Sequence, residues 1–303
     1  MTPASASPET PAPALPSAGA APAAPRSPTA PASPPAAPAT PAPAPASATT
    51  APASATSASA PAAHPRLRLW LKLVALGAAG YAGAVPYFLH LFGHLPTQPR
   101  IPLAAVIALQ GIQVLVLVAL AAWAGVACAP GAGLDAPWLR GAGRPSFRVV
   151  AEAIALGTLA SVLVAAVVAA LRPHLPAALS EQGATPAVRW IGATSAFYGG
   201  LVEEILLRWG ILSALVLGAK KLRLDGAAGF WVANLAAALL FGLGHLPAAR
   251  AIGGPLTAPV VLYVLAGNGI AGLLFGWFFR RRGLEAAMVS HGVADVWLHA
   301  VLS

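Results

Sequence analysis

The sequence predicts an all-α fold, a polytopic transmembrane bundle of about seven helices behind a disordered Ala/Pro-rich N-terminal arm. Three observations predict it. The 303 residues are 57% hydrophobic and 9% charged with a mean hydropathy of +0.73, whereas roughly a quarter of the residues of a soluble domain are charged. Past Arg66, apolar stretches of the length that spans a bilayer core, about 20 residues, recur to the C-terminus. Lysine and arginine then sort between alternate loops, which is how a membrane protein sets its orientation. The formal net charge of +9 is explained by those loops, so nucleic acid is not an expected partner. With Cys128 as the single cysteine, an intrachain disulfide, a four-cysteine metal site and a redox pair are all excluded.

The first 65 residues hold 18 of the 31 prolines, no aromatic residue, and only Glu9 and Arg26 as fully charged side chains. Proline removes amide donors, and nothing large and apolar is present to offset chain entropy, so residues 1–65 read as a disordered arm. They lack the basic start and continuous apolar run of a signal peptide. Residues 66–188 read as N-terminal transmembrane helices and residues 189–303 as the part that carries the chemistry.

The predicted spans are 69–92, 101–128, 148–171, 189–218, 228–247, 258–279 and 284–302. Helix is the structure expected for each, because lipid leaves backbone polar groups no partner outside their own segment. Thirteen of the eighteen basic residues fall on one side of this arrangement. They are Arg26, Arg66, Arg68 and Lys72, then Arg140, Arg144 and Arg148, then Lys220, Lys221 and Arg223, then Arg280, Arg281 and Arg282. The opposite loops hold Arg100, Arg172, Arg189 and Arg250, and Arg208 alone lies within a span. The positive-inside rule then places the N-terminus in the cytoplasm and the C-terminus outside a multi-pass protein of the cell membrane.

Of nine acidic residues, Glu203 and Glu204 sit side by side inside the fourth span. A charge near the bilayer centre costs on the order of 3 kcal/mol on insertion scales, so such residues face a partner or a polar cavity. On an α-helix Glu204 and Arg208, four apart, share a face and can pair, while Glu203 has no such local partner. The fifth span places Phe241 and His245 four apart with small residues between them, and the last span does the same with His291 and Asp295. A rise of about 1.5 Å per residue puts Glu204 about 24 Å and His245 about 22 Å from the turn that joins their spans, so the two can meet. His291, nine residues past Arg282, lies only about 14 Å from its boundary and needs a tilted or kinked last helix, or a cavity that dips toward that side.

The ordered set E-E-x-x-x-R at Glu203, Glu204 and Arg208, F-x-x-x-H at Phe241 and His245, and H-x-x-x-N/D at His291 and Asp295 resembles the CAAX-processing and bacteriocin-processing intramembrane proteases, also described as type II CAAX prenyl endopeptidases. The resemblance covers about residues 190–303. Many members have asparagine where this chain has Asp295. The resemblance implies hydrolysis of peptide bonds within the membrane by glutamate- and histidine-activated water. The implied catalytic residues are Glu203, Glu204, Arg208, His245, His291 and Asp295, and the implied substrate is a membrane-embedded or lipid-modified peptide or protein. A divalent metal such as zinc fits His245, His291 and Glu204 as ligands; a metal-free use of the same residues is equally workable. The Ala/Pro-rich composition hints at a high-GC bacterial source.

Competing chemistries lack their residues. No His-Glu-x-x-His motif exists, Asp295 is the only aspartate inside a predicted span, and neither Ser195 nor Ser290 has a Gly-x-Ser-x-Gly context. A transporter would show inverted repeats, and none are visible. The alternative from another class is a non-catalytic scaffold, a bacteriocin self-protection or partner-binding factor that keeps the protease fold. Glu152, in the third span, is the one acidic residue that hints at a wider proton path.

Overall fold

The computed structural model describes residues 64–95, 100–180 and 185–302. The arm expected at residues 1–65 lies outside the described residues up to residue 63. Three long helices come first: α1 (Pro65–Gly93), α2 (Leu103–Ala132) and α3 (Phe147–Leu171). A 3-10 turn (Arg172–His174) and the short α4 (Ala177–Ser180) follow, then α5 (Pro186–Ala193) and α6 (Ser195–Phe197). A π-helical stretch, Tyr198–Leu212, passes into α7 (Ser213–Lys221). The chain ends with α8 (Gly226–Gly253), α9 (Ala258–Arg282), α10 (Leu284–Val296) and a π-helical turn, Trp297–Val301.

Five of these elements are long and apolar enough to cross a membrane: α1, α2, α8, α9, and α3 extended to His174. They match five of the predicted spans to within a few residues at most ends, α8 running on past Pro247 to Gly253. The surface of α2 shows what they face. Leu109, Ile112, Val116, Leu120 and Trp123 recur every three or four residues and are all exposed, a continuous apolar stripe that water would not tolerate and lipid does.

The other two predicted spans, 189–218 and 284–302, are helical but interrupted. The first is broken at Thr194 and widened into the π-helix, and the second is 13 α-helical residues followed by the π turn. Hydropathy alone reports length and apolarity, and cannot see a change in helix winding. Both segments are clasped by other helices. The π stretch buries Val202, Ile205, Trp209 and Leu212 in one cluster with Leu73 of α1 and Val118 of α2, and Trp209 Nε1 donates to the Ala122 carbonyl at 3.2 Å.

The loops predicted to share one side gather at one end of the bundle. Lys72 Nζ donates to the Leu139 carbonyl at 2.6 Å and Lys220 Nζ to that of Gly131 at 3.1 Å. Leu284 N–H donates to the Asp135 carbonyl at 3.0 Å, and Leu139 N–H to Glu285 Oε1 at 2.7 Å. Glu152 is held there too, with Arg282 Nε at 2.6 Å from Oε2 and Arg148 Nε at 2.9 Å from Oε1. Its carboxylate is committed to two arginines at the helix end. Gly283, at φ 91°, turns α9 directly into α10.

Candidate active site

The π-helix holds the first two candidate side chains. Its i→i+5 winding is wider than that of an α-helix, so neighbouring side chains diverge less around the axis and the helix climbs less per residue. Glu203 and Glu204 can therefore address the same partner, which adjacent residues of an α-helix do poorly. They address His291. Its Nδ1 lies 2.7 Å from Glu204 Oε1, and its Nε2 lies 3.7 Å from Glu203 Oε2 and 3.7 Å from Asp295 Oδ1.

The depth mismatch anticipated for His291 is reduced at the Glu204 end. The smaller rise of the π stretch brings Glu204 less far from its turn than α-helical spacing implies. The first turn of α10 is covered by the α2–α3 linker, with Leu284 and Glu285 buried against Asp135 and Leu139. Close approach needs small residues at the crossing. A Cβ on Gly200 would meet the Met288 carbonyl oxygen at 2.9 Å and Gly292 N at 3.2 Å, and one on Gly199 would meet the Asp295 carboxylate and lie 3.0 Å from His291 Nε2.

The two glutamates occupy different settings. Glu204 is fully buried, with Oε1 3.1 Å from Arg208 Nη1; that nitrogen is at ion-pair distance without the alignment of a hydrogen bond. Arg208 also reaches the Gly272 carbonyl at 3.4 Å, and its Cζ lies 5.0 Å from the Phe241 ring centre and 5.5 Å from that of Phe275. Glu203 is 14% exposed, and each of its oxygens faces one imidazole: Oε1 is 3.7 Å from His245 Nε2, and Oε2 is 3.7 Å from His291 Nε2. His245 Nδ1 donates to the Phe241 carbonyl at 2.9 Å, because a carbonyl can only accept. In neutral His245 the lone pair is then on Nε2, facing Glu203. Phe241 itself stands edge-on to the His245 ring at 4.8 Å, while Phe275 stacks on His291 at 4.7 Å. These rings fix the imidazole planes.

All six residues singled out from the sequence meet here. The glycines were not singled out, although the doublet Gly199-Gly200 just before the glutamates is the visible signal of a close approach. Ser290 is buried and its hydroxyl donates to the Ala286 carbonyl at 3.0 Å, so it is tied to its own helix. Among the described residues, no three or more histidine, cysteine, aspartate or glutamate side chains are arranged to hold a metal ion. The set His245, His291 and Glu204 does not converge on one point: Glu204 Oε1 and His291 Nδ1 face each other at 2.7 Å. A cavity of about 450 Å³ lies elsewhere, at the end where the basic loops gather.

Residues 185–297 match the family model described as type II CAAX prenyl endopeptidase Rce1-like. No curated protein and no solved structure matches the chain. The matched stretch starts at Thr185, whose hydroxyl caps α5, and contains every residue of the cluster around His291. Within this multi-pass membrane protein, residues 185–297 are thus similar to the type II CAAX prenyl endopeptidase Rce1-like family.

Proposed function

We propose that the chain is an intramembrane endopeptidase that hydrolyses membrane-associated peptides or proteins, with Glu203 as the general base. The observation that carries this reading is the asymmetry of the two glutamates: Glu204 is enclosed by Arg208 and His291, while Glu203 is partly exposed between two imidazole Nε2 atoms at 3.7 Å each. Such separations are too long for direct hydrogen bonds and suit a bridging water. Glu203 removes a proton from that water as its oxygen attacks the peptide carbonyl carbon, and His245 Nε2 orients it. His291, bearing protons on both nitrogens, donates through Nδ1 to Glu204 and presents Nε2–H to the developing oxyanion. Asp295, with Oδ1 3.7 Å from the same Nε2 and so beyond hydrogen-bond distance, supports the positive charge of His291 and leaves that N–H to the oxyanion. When the C–N bond breaks, the proton on Glu203 passes to the leaving amine. Arg208 and Glu204 position His291 and do not touch the substrate. The same proposal places the N-terminus in the cytoplasm, from the thirteen-to-four division of basic residues.

The test is cleavage of a membrane-associated peptide library by the full chain purified in detergent, with and without a chelator. Glu203→Gln and His245→Ala are expected to lower the rate about 100-fold or more, the contribution typical of a positioned general base, with unchanged yield. Retained cleavage by either variant overturns the mechanism. Loss of cleavage on chelation, restored by zinc, would assign a metal to these residues. No cleavage by any form would favour the non-catalytic scaffold.

A further inference from the structure

The cavity of about 450 Å³ is walled by the α2–α3 linker, the start of α3 and the end of α9. Its volume lies within the range of small-ligand sites. Arg144 enters from the linker, and Arg280, Arg281 and Arg282 from α9. Arg282 is neutralised by Glu152, with Nε 2.6 Å from Oε2 and Nη2 2.9 Å from Oε1. The carboxylate in the wall, Asp135, is likewise occupied: Oδ1 accepts from Ala136 N–H at 2.8 Å and from Arg140 Nη1 at 3.0 Å. Three guanidinium groups therefore stand without a carboxylate partner among the described residues.

Two of those three are held in place with their donors free. Arg280 Cζ lies 4.5 Å from the centre of the Phe230 ring and Arg281 Cζ 5.6 Å from that of Trp277. Contact through an aromatic face fixes a guanidinium while leaving its in-plane N–H groups unused. Neither side chain makes a hydrogen bond or ion pair to a described residue. Fixed, planar, unpaired forks suit the oxygens of a phosphate group. The α3 N-terminus adds the positive end of its dipole at the same place, although its Val149 amide is already taken by the Ser146 hydroxyl at 3.3 Å. Beside it Phe147 is 88% exposed, an apolar side chain set where the lipid boundary is expected.

We propose that this cavity binds the phosphate group of an anionic ligand through Arg144, Arg280 and Arg281. Two sources carry that chemistry, an anionic lipid headgroup and a free phosphate. The test measures the thermal midpoint of the full chain in neutral detergent during titration with phosphatidylglycerol, phosphatidylcholine or inorganic phosphate. Phosphatidylglycerol is expected to raise the midpoint and phosphatidylcholine to leave it unchanged. A rise with phosphatidylglycerol alone assigns a lipid, and a rise with inorganic phosphate as well assigns any phosphate. Loss of each arginine should weaken the apparent affinity about fivefold, the effect of one basic side chain on an anionic headgroup. Arg280→Gln with Arg281→Gln should thus weaken it roughly 30-fold. Arg144→Gln, in the exposed linker, tests the site without touching the packed end of α9. Equal midpoint shifts for parent and variants, or no shift with either anion, overturn the proposal.

Discussion

At the scale of single residues, the candidate site sets side chains of the same type in different surroundings. Glu204 and Arg208 form a buried pair with side chains 0% and 3% exposed, and removing one partner of such a pair typically costs about 3–5 kcal/mol. Arg208→Ala is therefore expected to reduce both the yield of folded protein and its thermal midpoint, unlike Glu203→Gln, which alters a partly solvated group. Size-exclusion profiles of the two variants in detergent separate the effects; equal behaviour would place both glutamates in one role. Gly199→Ala puts a methyl group against Asp295 and His291 Nε2. It should cut cleavage at least tenfold while the protein still elutes as a single folded species, since displacement of a reacting group by about 1 Å can cost 100-fold. These six polar residues were legible because carboxylates and imidazoles are rare and costly in apolar spans. Their separate roles were not. Nothing in the string Leu201-Val-Glu-Glu-Ile says which carboxylate is enclosed, because that depends on helices far away in sequence.

At the scale of elements, α1, α2, α3, α8 and α9 were legible as continuous apolar runs, and their ends fell where turn residues and charges begin. The π-helix was not. Its residues have the composition of an ordinary span, and its winding is set by clasping helices and by the close approach of α10 at Gly199 and Gly200. On its other side α10 rests against α3, where a Cβ on Gly157 would strike the Ser290 carbonyl and lie 2.9 Å from Val293 Cβ. Gly157→Val should displace α10, with a destabilisation of about 1–3 kcal/mol from overpacking and loss of activity from a position that touches no substrate. Gly244→Ala, one residue from His245 but with open space around the new methyl group, should leave the thermal midpoint unchanged or slightly raised. A drop for Gly244 equal to that for Gly157 would show that packing against α10 is not the cause.

At the scale of the whole molecule, the charge pattern foretold a common end for four separated stretches of chain, and hydrogen bonds join them there. The cytoplasmic N-terminus proposed from that pattern predicts that removal of residues 1–63 leaves insertion intact, since Arg66, Arg68 and Lys72 remain. A reporter fused at Ser303 should be active only outside the cytoplasm; activity only inside would require an even number of crossings. The meeting of those stretches was legible as a charge pattern, but the residues that join them were not, because most of the bonds run to backbone groups of the α2–α3 linker and the end of α2. That linker accepts from Lys72 at the Leu139 carbonyl and from the Leu284 N–H at the Asp135 carbonyl, and its Leu139 N–H donates to the Glu285 carboxylate, while Lys220 bonds the Gly131 carbonyl at the end of α2. In native-state hydrogen exchange it should accordingly behave as core: the amides of Leu139 and Leu284 open only when the bundle does. Gly143, at φ 101° with open space where a Cβ would stand, should exchange within the same loop orders of magnitude faster, so that one short connection contains both extremes of the protein's protection.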